Sequence, residues 1–199
     1  MPPKQKFSAE DVIDAAFQIV RRDGWKGLSA RAIAKELNAS TRPVYDYFQS
    51  MKHIEREVVK KALAAFVEFI GRERTGDKWL DQALGYVIFA GKEKHLFRCI
   101  NDEAHIEYQK EFARRHWKAL GEQLVQDARF QGMSEETIQR IRVVRWFLVH
   151  GISFLAANGW LDAADLQKTT RAGDFIDMTL QDFLAKANDA IYEGFKDLN

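Results

Sequence analysis

The chain has 199 residues, 46% hydrophobic and 30% charged, a soluble globular balance that excludes intrinsic disorder and allows a core of useful size. The single cysteine, Cys99, excludes an internal disulfide and any CxxC pair for metal or redox work. The net charge of +1 hides a split: residues 1–62 hold 12 Lys and Arg against 8 Asp and Glu, a net +4, and the remainder is −3, so one end alone is suited to a polyanion. The opening MPPKQKF lacks the apolar stretch of a signal peptide, and no run reaches the ~18 apolar residues of a membrane span. The expectation is a soluble cytoplasmic protein without a membrane partner.

Prolines occur only at positions 2, 3 and 43, and the helical spacing i, i+3, i+4, i+7 recurs throughout, which predicts an all-α fold without internal repeats. A first helix starts at Ser8, with Asp11 as a capping-box partner and Ile13, Ala16, Phe17 and Val20 on one face. Gly24 ends it. A second starts near Ser29 and carries Ala30, Ile33, Ala34 and Leu37, with Asn38 as a left-handed terminator. Ser40 is the expected cap of a short third helix. Pro43 then falls at the third helical position, or at the first if Arg42 is the cap; either way its missing N–H is one the helix start leaves unpaired. Because a residue before proline resists helical dihedrals, a start at or near Arg42 is favoured. Helix, tight turn, helix is the helix-turn-helix arrangement, completed by the preceding helix.

A longer helix is predicted over 51–70, with two apolar stripes (Ile54, Val58, Ala65, Phe69; Val59, Leu63, Phe66, Ile70), so that it joins two domains. GRERTGD, residues 71–77, is a polar break. Further helices are expected over 79–92, 94–101, 104–130, 134–158 and 174–196, the fourth capped by Ser134. NGWLDAADLQKTTRAGD is the longest loop. The last two long helices carry stripes of Ile141, Leu148, Ile152, Leu155 and of Leu180, Phe183, Leu184, Ala187, Ile191. Further apolar residues lie beside them (Val143, Phe147, Phe154; Phe175, Met178). The surplus fits either a helix-bundle dimer interface or intramolecular core. The expected division is a helix-turn-helix domain over 1–50 and a helical domain over 51–199.

The segment GLSARAIAKELNASTRPVYDYFQSMKHI, residues 27–54, resembles the TetR family of bacterial transcriptional regulators. Leu28, Arg31, Ile33, Ala34, Leu37, Ser40, Val44, Tyr45, Tyr47, Phe48, Ser50 and Ile54 fall on matching positions without a gap. Pro43 replaces the usual Thr or Ser, and Met51 stands where a lysine is usual, with Lys52 beside it. A fainter likeness to a subset of the family runs through TRPVY, Tyr86–Ala90, Leu96–Arg98 and Trp146–Gly151, and identifies no ligand.

The resemblance implies an all-α protein in which the third helix enters the major groove of double-stranded DNA, as a homodimer on a palindromic operator, with a small-molecule effector that releases it. Arg42 has the two donors that read guanine O6 and N7, and Thr41 can touch a base edge or a thymine methyl. Pro43 fixes the helix end that holds them, next to Ser40. Tyr45 and Tyr47 match positions that contact phosphate. Lys52, Ser29 and Arg31, at helix starts, are further phosphate candidates, and Lys4 and Lys6 form a basic arm. Phe48 is expected in the core. The middle helices are rich in aromatics with polar groups between them, the composition of a small-molecule cavity; Tyr86, Phe89, Tyr108, Trp117, Trp146, His150 and Phe154 are the pocket candidates, for an apolar or aromatic effector. No cofactor or metal is expected.

An enzyme is the rival from another class. Asp102-Glu103-Ala104-His105 is one carboxylate-x-x-His fragment without a second, and the phosphate-binding GxxxxGK[ST] is absent; no catalytic set remains. The alternative is a helical protein–protein interaction module without sequence-specific DNA binding, which predicts no steep salt dependence on DNA.

Overall fold

Helix α1 (Ala9–Asp23) starts where the Ser8 hydroxyl accepts from the Asp11 backbone N–H at 3.1 Å and the Asp11 carboxylate accepts from the Ser8 N–H at 2.7 Å, a closed capping box. It ends at Gly24, whose φ of 73° is open to glycine at no steric cost. The computed structural model describes residues 7–124, 126–161, 171–172 and 176–197. Lys4, Lys6, Phe175 and most of the expected long loop lie outside the described residues. The helices that follow are α2 (Ala30–Glu36), α3 (Arg42–Tyr47), α4 (Met51–Ile70), α5 (Lys78–Lys92), α6 (Lys94–Ile100), α7 (Ile106–Leu124), α8 (Glu135–Ala157) and α9 (Leu180–Phe195). The fold is all-α with one small ribbon, in which Arg171–Ala172 pairs antiparallel with Ile176–Thr179.

The chain forms two compact units, Met1–Ala65 with Glu93–Gln109, and Phe66–Lys92 with Lys110–Asn199. The first therefore takes in most of α4 and all of α6 beyond the expected residues 1–50. Its core is the predicted stripe of α1 with Ile33 and Ala34 of α2, Val44, Phe48, Ile54 and Val58, and Leu96, Phe97 and Ile100 of α6. Arg21 of α1 grips Glu93 with both arms of its guanidinium, Nε at 2.8 Å from Oε2 and Nη2 on Oε1. The side chain of Lys61 reaches Glu10 and Asp14.

In the second unit Leu80, Leu84, Val87 and Ile88 of α5 pack with Val149 and Ala156 of α8 and Leu180 and Leu184 of α9. Trp79, Phe130, Ile138 and Ile141 close one end. Gly85 lets α5 approach the end of α4: a Cβ there would stand 2.8 Å from the Ile70 Cα. Asp81, buried, gathers the polar break by accepting from the Arg74 N–H at 3.0 Å and from the Thr75 N–H and hydroxyl at 2.8 and 2.7 Å.

Two boundaries differ from the sequence expectation for local reasons. The helix expected over 104–130 is replaced by α7 flanked by short 3-10 turns, Glu103–His105 and Ala128–Phe130. Asp102 and Asp127 each accept from the backbone N–H two residues on, at 2.9 and 3.0 Å, a turn that competes with helix. The last helix starts at Leu180 rather than 174, because Thr179 caps it through the Asp182 N–H at 3.0 Å and the residues before it are a strand.

Candidate nucleic-acid interface

The turn between α2 and α3 is built by backbone bonds. Asn38 takes φ 49°, the left-handed conformation expected of it; its N–H donates to the Lys35 carbonyl at 3.1 Å, and the Ala39 N–H reaches back to the Ala34 carbonyl at 2.9 Å. Ser29 caps α2 through the Ala32 N–H at 3.1 Å. The cap of α3 differs from both expected forms. Thr41 holds the cap position with no side-chain bond, so Pro43 is the second helical residue, and the Ser40 hydroxyl takes only the Arg42 N–H, at 3.4 Å. The physical conclusion about the missing N–H is unchanged.

Val44 and Phe48 are buried and anchor α3. Arg42, Tyr45 and Asp46 beside them are exposed. Arg42 is 85% exposed, and among the described residues its only ion pair is a loose one to Asp46 at 3.7 Å. Tyr45 is 63% exposed, unusual for so large an aromatic without a partner surface. Ser40 is exposed, and Thr41 and Pro43 are half-buried. Ser29 and Arg31 are exposed at the start of α2, and Lys52 in the first turn of α4. Tyr47 is placed differently: half-buried, it donates its hydroxyl to the Phe7 carbonyl at 2.6 Å, which ties the start of the described chain to α3.

In the second unit four of the seven pocket candidates come together. The Tyr86 hydroxyl and His150 Nδ1 are 3.0 Å apart. Trp146 lies against His150, with ring centroids 5.5 Å apart, and edge-on to Trp117 at 6.3 Å. Burial pushes the Tyr86 phenol up to about 12, against the opposing hydrogen bond of Trp146, and pushes His150 down; both are uncharged at neutral pH. The other three lie elsewhere. Phe89 is core against Phe66 and Phe69. Phe154 points outward, 59% exposed. Tyr108 belongs to the first unit, under the Arg56 guanidinium at 5.0 Å.

Gln139, Arg142 and Ser153, which pattern reading missed, complete this group. With Trp146 and His150 they recur at helical spacing on one side of α8. Gln139 accepts from the Trp117 indole N–H at 2.9 Å and from Arg142 Nη1 at 3.2 Å, and Arg142 Nη2 donates to the Trp117 carbonyl. The Arg142 guanidinium lies 4.3 Å from the Trp117 ring centroid. Polar residues at i, i+3, i+11 and i+14 inside an apolar helix were the signal.

From Trp146 onward the outward side of α8 is apolar. Phe147 is 63% exposed, Phe154 and Leu155 share its side, and a Cβ on Gly151 would meet nothing within 4 Å. Leu155, part of the apolar stripe read from the sequence, is exposed, unlike Ile141 of the same stripe. The exposed positions of α9 are polar or small: Gln181, Asp182, Lys186, Asp189, Ala190, Glu193 and Gly194. Among the described residues, no three His, Cys, Asp or Glu side chains are placed to hold a metal ion, and no helix is long and apolar enough to cross a membrane.

Comparison with known proteins agrees with this geometry. Residues 12–58 match the family model of bacterial regulatory proteins of the tetR family. A protein of Bacillus subtilis (strain 168), YobS, described as an uncharacterized HTH-type transcriptional regulator, is 28% identical over 94 residues, which cover 45% of this chain and 49% of that protein. The chain thus spans about half the length of this relative.

Proposed function

We propose that this chain, a member of the TetR family through its helix-turn-helix domain, is a homodimeric transcriptional repressor that binds a palindromic operator and is released by a small-molecule effector. The observation that carries the reading is the face of α3: two buried anchors, Val44 and Phe48, and beside them two exposed side chains, Tyr45 and Arg42, the latter with only a loose ion pair to Asp46 among the described residues. Arg42 reads guanine through its two-pronged donor edge, and Thr41 touches the neighbouring base. Tyr45, Ser29, Arg31 and Lys52 hold phosphates, and Pro43 and Ser40 fix the start of α3. Tyr47 acts indirectly, by anchoring the chain that leads to the basic arm of Lys4 and Lys6.

One such unit touches few bases. Two copies on half-sites about one helical turn (~34 Å) apart double the contacts, and the exposed aromatic side of α8 supplies the dimer interface. The effector binds in the second unit, around Trp117, Trp146, His150 and Tyr86. It favours a state in which the two α3 helices no longer match the operator spacing; a tenfold preference for that state amounts to about 1.4 kcal/mol per site. α4, which runs through the division between the units, carries the change.

The experiment is selection from random DNA by the purified protein at fixed salt, with Arg42→Ala alongside. An enriched palindrome that relaxes or disappears in the variant supports the reading. Dimers that enrich nothing and bind DNA without steep salt dependence overturn it in favour of an interaction module.

A further inference from the structure

Arg142 is 8% exposed, and among the described residues its hydrogen bonds go to neutral acceptors only, Gln139 Oε1 and the Trp117 carbonyl. Among the described residues no carboxylate pairs with it. The acids that might have done so are engaged elsewhere. Arg129 takes Asp77 with both arms, at 3.0 and 2.6 Å, and Asp127 at 2.9 Å. Burial pushes the Arg142 guanidinium down with no carboxylate to oppose it, yet a guanidinium keeps its proton in a protein. A cation taken out of water without a counter-charge is destabilising, and its removal to a neutral residue would relieve that cost. Structural duty alone, two bonds to neutral oxygens, calls for a neutral donor as readily as for a charge.

We propose that the second unit takes an organic monoanion, an arylalkanoic acid in chemical class, with its carboxylate on the Arg142 guanidinium and its flat body against Trp117 and Trp146. The inference rests on the effector reading above for its biological use and deepens it by naming the ligand class. The guanidinium fork matches a carboxylate with two parallel bonds. Trp146 follows Arg142 by four residues, about 6 Å along the helix axis, the distance from the carboxylate to the ring of a short arylalkanoate. Trp146 is 41% exposed, so the group can be reached from solvent. His150, the next polar group along the stripe, is bonded to Tyr86 of α5 and both are uncharged, so Arg142 carries the one charge of the stripe. That selects an anion over a cation or a zwitterion. The stripe ends at Ser153, whose fully buried hydroxyl has no partner among the described residues; a second polar group on a longer ligand finds it there.

The test uses the full chain with indole-3-acetate and 3-phenylpropionate, each against its primary amide. Tryptophan fluorescence and thermal shift read binding. The expected result is at least tenfold tighter binding of each acid than of its amide, with acid and amide equal in Arg142→Gln and a reduced preference for the acid in Arg142→Lys. Should Arg142→Gln not fold, the acid-to-amide ratio in the wild type and in Arg142→Lys decides. Equal binding of acid and amide by the wild type overturns the proposal. So does an acid preference that survives in Arg142→Gln, or no acid binding up to about 1 mM. Operator binding is measured in the same samples. Acids that bind through Arg142 and leave operator affinity unchanged keep the anion site and sink the effector reading. Release by a neutral compound, with no preference for acids, does the reverse.

Discussion

Arg42 makes almost nothing of its charge inside the fold. An exposed pair at 3.7 Å contributes at most about 1 kcal/mol, so Arg42→Ala is expected to leave the melting temperature nearly unchanged. If the side chain reads a guanine, the same change costs about 1–3 kcal/mol of operator affinity and relaxes selection at one position of each half-site; fluorescence anisotropy on the selected site and on single-base variants checks both. Asp81 is the opposite kind of residue, buried and bonded to the Arg74 and Thr75 N–H groups and the Thr75 hydroxyl. Burial raises its pKa, but the Thr75 hydroxyl and the Arg74 and Thr75 N–H groups outweigh this and hold it below the ordinary aspartate value. Its folded pKa is therefore depressed. The stability it contributes is present above the unfolded pKa of about 3.9 and is lost as pH falls through the folded value. Asp81→Asn is expected to cost about 1–3 kcal/mol at pH 7 and less than that at pH 2–3, as read by urea denaturation across pH; an equal cost at both ends would show that ionisation of Asp81 plays no part.

At the scale of elements, the sequence was most legible where a helix start and a periodic stripe coincide. Ser8 with Asp11, Ser29 before Ile33 and Ala34, and Ser134 before Glu135 all cap as their spacing requires. Asn38 is left-handed because its short polar side chain tolerates that region. Local side-chain competition was harder to read. Asp127 falls inside the helix expected over 104–130, and Asp102 lies just before it, yet each bends its own backbone into a turn, and no count of apolar periods detects that. Thr41 rather than Ser40 holds the cap of α3, a one-residue difference that depends on backbone angles. The polar stripe of Gln139, Arg142, His150 and Ser153 was visible as spacing; that Arg142 has no carboxylate partner among the described residues depends on where Asp77 and Asp127 point, which only three dimensions reveal. Gly85 likewise reads as a weak spot in a helix until α4 is seen beside it. Gly85→Ala would gain helix propensity of about 1 kcal/mol but puts a methyl 2.8 Å from the Ile70 Cα, with the Arg74 guanidinium at 3.1 Å. Backbone cannot yield as a side-chain tip does, so overpacking is expected to prevail, with a net loss of about 1–3 kcal/mol in chemical denaturation. A stabilised variant would mean that the two helices separate readily.

For the whole molecule the question is whether the reading helices work as a pair. A stable interface buries roughly 800 Å² per partner with an apolar centre, and the outward side of α8 has such a centre in Phe147, Phe154 and Leu155, with Gly151 open for close approach. The exposed positions of α9 carry acids, a lysine and small residues, so α8 is the better source of burial and α9 of the polar rim. Phe147→Glu separates the two possibilities for that surface. In a monomer the side chain is 63% exposed, so the change is expected to shift stability by no more than about 0.5 kcal/mol. In a dimer centred on α8 it places a carboxylate in a desolvated contact twice over, which is costly without a partner. Sedimentation equilibrium is then expected to give a folded monomer, and operator binding to weaken and to rise steeply with protein concentration. Its salt dependence should become shallower as well, because half the phosphate contacts of a paired reader are lost from a single one. A variant that stays dimeric with wild-type operator affinity would move the interface away from α8 and leave its aromatic face to a different partner.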